Sequence, residues 1–131
     1  MSLFIDHVVI TVTDIDKSIH FYSNVLGMEL QEFLSTTDNT KRKSLKFGTQ
    51  KINLHEASKP FKPHAHNPLP GTMDICFLSE INVNDWIKIF DKFDIKIDDG
   101  PVIKTGANGP IKSIYVRDPD KNLIEISNQN Y

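Results

Sequence analysis

The sequence predicts an α+β fold made of two βαβββ modules, and three observations predict it. The order strand, helix, three strands occurs twice along the 131 residues. A proline-rich segment separates the two occurrences. Side chains able to bind a metal stand on the first and last strand of each. At 39% hydrophobic content, with glycine and proline near average, the chain is long enough to bury a core. We read it as a single domain, 1–131, with module one at about 3–57, a linker at 58–71 and module two at about 72–128.

In module one, residues 3–13 (LFIDHVVITVT) are rich in β-branched side chains and read as a strand with His7 in its middle. Val8, Ile10 and Val12 form one face; Ile5, His7, Val9 and Thr11 form the other. Thr13 or Asp14 can cap a helix whose apolar positions Ile15, Ile19, Tyr22, Val25 and Leu26 recur at helical spacing, ending at Gly27. Short strands follow at 28–34, 43–47 and 51–57, separated by STTDNTK and by Gly48-Thr49-Gln50. Four prolines within 58–71 exclude a central strand or a helix there.

Module two repeats the order. Residues 72–78 read as a strand, and Asn82 can cap a helix with Val83, Trp86, Ile87, Phe90 and Phe93 on one face. A short strand at 95–98 and a loop at 100–110 lead into 111–127, two alternating strands joined by the turn Asp118-Pro119-Asp120-Lys121-Asn122.

Matching the modules by their first strands lays His7-Val8-Val9-Ile10 over Asp74-Ile75-Cys76-Phe77; matching their last strands lays Leu54-His55 over Ile124-Glu125. His7, His55, Asp74 and Glu125 each have an apolar neighbour on the opposite face, so all four point away from the helices and converge in one concavity. Two imidazoles and two carboxylates suit a divalent ion such as Zn, Ni, Mn, Co or Fe. Burying two carboxylates without a cation costs several kcal/mol or forces protonation. Glu125, on the last strand between Ile124 and Ile126, is the candidate catalytic carboxylate, able to take a proton from a substrate held at such an ion. His66 at the pocket lip and Thr105, Asn108 and Arg117 at the sheet edge are candidate substrate contacts. His64 reads as a solvated loop histidine, and Cys76, on the same strand face as Asp74, as a small buried hydrophobe.

The formal charge of −2 and pI near 6.2 give no broad basic field, and the longest basic run, Lys41-Arg42-Lys43, is short, which excludes nucleic acid as a partner. A lone cysteine forms no internal disulfide, and no apolar run approaches the ~18 residues of a membrane span. The first residues, MSLFIDHVVITV, lack the pattern of a secretion signal, so the expected setting is the reducing cytoplasm.

The segments IDHVVITVTDIDKSIHFYSNVLGMEL and YVRDPDKNLIEIS resemble the vicinal oxygen chelate superfamily, which includes glyoxalase I, thiol transferases, extradiol dioxygenases and bleomycin-binding proteins. FGTQKINLHEA, GTMDICFL and GPVIKTGANGPIKSIYVRDPD look like its glyoxalase domain-containing, virulence-associated branch. The resemblance implies paired βαβββ modules curling a mixed sheet around a metal and substrate cavity, usually in a homodimer. It places ligands at His7 and Glu125. His55 falls where glyoxalase I usually has Glu, and Asp74 where it usually has His, which tells against a dioxygenase; Lys121 stands where the family turn has Gly. Two functions follow from the resemblance. One is a metalloenzyme acting on a small oxygenated or electrophilic substrate, with a thiol cosubstrate as an option. The other is a binder that sequesters a small molecule without chemistry, as bleomycin-resistance proteins do.

Overall fold

The computed structural model describes residues 2–131. The chain forms two compact units, one ending at Gly71 and one spanning Thr72–Tyr131, each carrying a four-stranded mixed sheet with βαβββ order.

The first unit comprises β1 (His7–Val12), α1 (Ile15–Ile19), β2 (Glu29–Leu34), β3 (Lys41–Phe47) and β4 (Gln50–Glu56), with sheet order β1-β4-β3-β2. β1 and β4 are parallel, and the other pairs antiparallel. Asp14 caps α1 by accepting from the Lys17 amide at 3.1 Å. Beyond Ile19 the helix widens into π-type turns over His20–Val25 and leaves through Gly27, whose φ of +85° is a conformation few L side chains adopt. Ile10, Val12, Leu45, Ile52 and Leu54 are buried together with Phe21, Tyr22 and Val25 of the helical segment. β1 starts at His7 rather than at residue 3, so His7 stands at a strand's first rung, not its middle. Leu3, Phe4 and Ile5 precede that rung and are 82%, 92% and 67% exposed.

Between β2 and β3, Asp38 accepts from the Thr40 amide at 3.1 Å, the Thr40 hydroxyl at 2.6 Å and Arg42 Nη2 at 3.0 Å. The Thr40 hydrogen bonds, with the Arg42 charge behind them, hold its carboxyl down at about 2. The stability this carboxylate lends the turn is therefore complete above pH 3.8 and is lost as pH falls towards 2. In a carboxyl-detected NMR titration Asp38 will show a midpoint of about 2, and Thr40→Val, which keeps the residue-40 amide and Arg42 bonds, will move it part of the way back towards 3.8.

The second unit comprises β5 (Asp74–Leu78), α2 (Val83–Lys92), β6 (Asp99–Gly106), β7 (Gly109–Arg117) and β8 (Leu123–Asn128), with sheet order β5-β8-β7-β6. β5 and β8 are parallel. Ile114, Val116, Ile124 and Ile126 are buried on one sheet face, as are Val83, Trp86 and Phe90 of α2. The start of α2 is held from two sides. Asn82 Oδ1 accepts from the Asn84 amide at 2.8 Å, and Asn128 at the end of β8 accepts from the Val83 amide at 2.8 Å while donating to the carbonyls of Ser79 and Ile81.

The strand expected at 95–98 and the loop expected at 100–110 are replaced by β6. Pro101 is tolerated because β6 is an edge strand, where a missing N–H need not break the ladder. Gly100 has φ +93°, and a Cβ there would collide with the Ser113 carbonyl, so the Gly-Pro pair that reads as a loop instead lets β6 enter against β7 through a register shift.

The turn joining β7 to β8 is organised by Asp118, which is 4% exposed. Its Oδ1 accepts from the amides of Asp120 and Asn122, both at 2.9 Å, and its Oδ2 from Asn122 Nδ2 at 2.8 Å. Asn122 Oδ1 accepts in turn from the Met73 amide at 2.8 Å, immediately ahead of β5. One buried side-chain network thus fixes the starts of both β5 and β8.

Candidate functional site

The second unit gathers Asp74 and Cys76 of β5, Glu125 and Ser127 of β8, and Ser113 and Tyr115 of β7 on the sheet face opposite its core. The registers explain this: Cys76 pairs with Glu125, Tyr115 with Glu125, and Ser113 with Ser127. A cavity of about 460 Å³ opens there, lined by Cys76, Lys104, Thr105, Asn108, Tyr115 and Glu125 among others.

The Glu125 carboxylate is held on one oxygen. Ser113 Oγ donates to Oε2 at 2.5 Å, the Ser127 hydroxyl lies 2.6 Å from Ser113 Oγ, and Cys76 Sγ lies 3.3 Å from Ser127 Oγ. One direction of donation satisfies every group: thiol to Ser127, Ser127 to Ser113, Ser113 to carboxylate. Two fully buried serines thereby become tolerable, and the Tyr115 phenol also hydrogen-bonds the carboxylate. Burial, then the Glu125 charge, pushes the Tyr115 phenol up to about 12, so it remains a donor at neutral pH. Cys76, expected to be a small buried hydrophobe, is exposed at the cavity because its strand face carries polar rather than core side chains; partial burial of its thiol still raises it, and Glu125 and Asp74 add to this against the Ser127 hydrogen bond, which disfavours the thiolate a nucleophile needs.

In the first unit His7 is half-exposed and its Nδ1 lies 2.7 Å from the Asp6 carboxylate. That is the partner that fixes an imidazole with Nε2 free to bind. The Asp6 carboxyl is lowered, chiefly by this hydrogen bond. His55 lies elsewhere. His7 pairs with Lys51 and His55 with Thr11, so the two histidines stand four residues apart along the parallel pair, about 13 Å at ~3.3 Å per residue. The first unit does not bring them together. His55 is buried, meets the Phe61 ring edge-on at 5.3 Å, and is held neutral by burial and by the charges of Arg42 and His64.

The registers also revise which residues correspond between the units. Two positions beyond Leu123, the partner of Asp74, stands Glu125; two positions beyond Lys51, the partner of His7, stands Asn53. Asn53, not His55, is the counterpart of Glu125. Its Oδ1 is buried without a hydrogen-bond partner. Sequence reasoning missed Asn53, Ser113, Ser127 and Tyr115; the latter three could have been found by pairing the strands on either side of the Asp118 turn. Among the described residues no group of three or more His, Cys, Asp and Glu side chains lies close enough to hold an ion.

Of the expected substrate contacts, Thr105 and Asn108 line the cavity beside Glu125. Arg117 is engaged with Asp98 Oδ2 at 3.2 Å and the Lys121 carbonyl at 3.3 Å. His66 is exposed, and His64 Nδ1 bonds the adjacent Ala65 carbonyl at 2.9 Å. Among the described residues no helix is long and apolar enough to cross a membrane.

Comparison with known proteins adds relatives over nearly the whole chain. It is 50% identical over 123 residues to virulence protein STM3117 of Salmonella typhimurium, covering 94% of this chain and 82% of that one. The crystal structure of that protein superposes with a TM-score of 0.87, covering 98% of both chains at 47% identity. Glyoxalase domain-containing protein RDO1 of Mycosarcoma maydis is also 50% identical, over 94% of this chain, which spans 66% of the fungal protein's length. At fold level alone, a lactoylglutathione lyase from Agrobacterium tumefaciens (TM-score 0.67, 24% identity, covering 98% of this chain and 95% of that one) shares the architecture. So does TnmS3, an antibiotic binding protein from Streptomyces sp. CB03234 (0.74, 17%, covering 98% of both chains). Two βαβββ units, a carboxylate on the last strand of the second, and a family profile matching residues 4–126 together establish that the chain belongs to the Glyoxalase/Bleomycin resistance protein/Dioxygenase superfamily.

Proposed function

We propose that the chain is a glyoxalase-like, metal-dependent enzyme, cytoplasmic and homodimeric, acting on a small oxygenated or electrophilic substrate by isomerase, lyase or thiol-transfer chemistry. The observation that carries this reading is Glu125: a carboxylate on a cavity wall, clamped through one oxygen by buried serines. The proposed donor residues are, in the second unit, Asp74 and Glu125 and, in the first, His7 and the orphaned Asn53 Oδ1. Imidazole, carboxylate and amide-oxygen donors of these kinds suit Zn, Ni, Mn, Co or Fe. His55 is not in this set, because its place in the strand register and its Phe61 contact put it in a different environment. Such an ion, when bound, polarises a carbonyl or stabilises an enediolate or alkoxide.

The chain's own residues do the rest. Ser113 and Ser127 orient Glu125 so that Oε1 can take a proton from the substrate. Tyr115, kept protonated, donates to Glu125 and helps to orient it, and Thr105 and Asn108 hold the substrate's polar end at the cavity rim. Cys76, kept as a thiol, is a wall rather than a nucleophile, so any thiol adduct uses a thiol from solution.

A second reading, sequestration of a small molecule without chemistry, is favoured by one feature: a neutral amide at Asn53 in the position that corresponds to Glu125. Elemental analysis of protein purified without chelator separates the two. Near-stoichiometric metal in the wild type, lost in His7→Ala, supports the enzyme; a wild type that stays empty after reconstitution leaves the binder. Metal-loaded protein given methylglyoxal and glutathione will turn over slowly, because Asp74 replaces the histidine of glyoxalase I. Ordinary glyoxalase rates would contradict that role for Asp74.

A further inference from the structure

A second cavity, of about 590 Å³, lies wholly in the first unit, where the start of β3 and the end of β4 meet residues 59–62. Its apolar wall is Ile15, Leu54, Pro60 and Phe61, and its rim carries Lys41, Lys43, Lys59 and Lys62. The Phe61 ring is fixed in place: the Arg42 guanidinium lies over it at 4.2 Å, and His55 meets it edge-on. Arg42 is paired, bonding Asp38 Oδ2 at 3.0 Å and Thr40 Oγ1 at 3.2 Å. Lys43 Nζ has Glu32 at 3.9 Å. Among the described residues, Lys41, Lys59 and Lys62 have no carboxylate within ion-pair distance, 4.0 Å. Glu56 is the one acid on the rim besides the committed Asp38.

Three unpaired ammonium groups around one concavity, in a chain of net charge −2, concentrate positive potential against the overall balance. Ammonium groups act as point charges without the planar fork that selects carboxylates, so a doubly charged phosphate monoester satisfies them better than a single carboxylate does. The apolar wall calls for a flat hydrophobic body on that phosphate, and the volume falls within the ~300–1,000 Å³ of small-molecule sites. We infer that this cleft binds a small phosphate monoester carrying an aromatic body, with Lys41, Lys59 and Lys62 around the phosphate and Phe61 and Pro60 against the ring. The site is separate from the Glu125 cavity and requires no metal.

Isothermal titration of the metal-free full chain with 1-naphthyl phosphate tests it, alongside inorganic phosphate and 1-naphthol. Expected is saturable binding, with each half-ligand weaker by about tenfold or more, and affinity falling as salt rises from about 0.05 to 0.3 M. Lys41→Met with Lys62→Met weakens binding about tenfold, Phe61→Leu weakens the naphthyl ester but not inorganic phosphate, and Lys88→Met, on α2 of the other unit, changes nothing. Naphthyl phosphate binding no tighter than inorganic phosphate, or an affinity indifferent to the lysine pair, overturns the proposal. Because every arm uses metal-free protein, its outcome does not depend on the metal reading of the Glu125 site.

Discussion

Asp118→Ala will cost the protein about 3 kcal/mol, the largest single-residue loss we expect outside the core. The two Asp118 side-chain oxygens accept three hydrogen bonds inside a 4%-exposed site, from the Asp120 and Asn122 amides and from Asn122 Nδ2. Alanine leaves those donors without an acceptor, and each unmet buried donor costs ~1–3 kcal/mol, reduced by whatever water enters the turn. The effect extends past the turn, because Asn122 also holds the Met73 amide ahead of β5. Asp118→Asn retains an acceptor for the backbone amides but turns a donor towards Asn122 Nδ2, so its loss will be intermediate. Urea denaturation read by Trp86 fluorescence measures both. A loss below about 1 kcal/mol in Asp118→Ala would show that the network is looser than its distances imply.

Glu125→Gln will weaken divalent-metal binding by about 100-fold or more, whereas Ser113→Ala will weaken it by only about tenfold. Glutamine keeps the shape and one hydrogen-bond acceptor but removes the charge that balances half of a divalent ion. Ser113→Ala keeps the charge and removes the hydroxyl that fixes Oε2, so Glu125 binds from more than one rotamer. Competition titration against a chromogenic chelator gives both constants. Equal losses in the two variants would mean that Glu125 acts only by folding the site.

The parts of the fold legible in the sequence were those fixed by local chemistry. The Asp14 and Asn82 caps, the Gly27 exit, the Asp118–Asn122 turn and the alternation of Ile124, Glu125 and Ile126 each follow from side chains within a few residues of one another. Register was not legible, and the reason is geometric. Alternation has a period of two, so sliding β4 by one residue exchanges its faces, but sliding it by two leaves every face as it was. His55 and Asn53 are two apart and share a face; only the backbone ladder, with Lys51 opposite His7, distinguishes them. The same limit hid the end-to-end separation of His7 and His55. β6 was missed for another reason: Gly100 and Pro101 are loop residues by propensity, and their strand conformation depends on an edge position and on the close approach of Ser113, both tertiary facts.

The organisation of the site follows from the same registers. Pairing Cys76 and Tyr115 with Glu125, and Ser113 with Ser127, puts one charged group among neutral hydroxyls, a phenol and a thiol. That environment keeps the Tyr115 phenol and the Cys76 thiol protonated.

Anomalous X-ray scattering from crystals grown with nickel or zinc tests the central claim most directly. We predict a strong peak within about 2.0–2.2 Å of a Glu125 carboxylate oxygen. A peak on His55, His64 or His66 instead, or none near Glu125 at full metal occupancy, would contradict it.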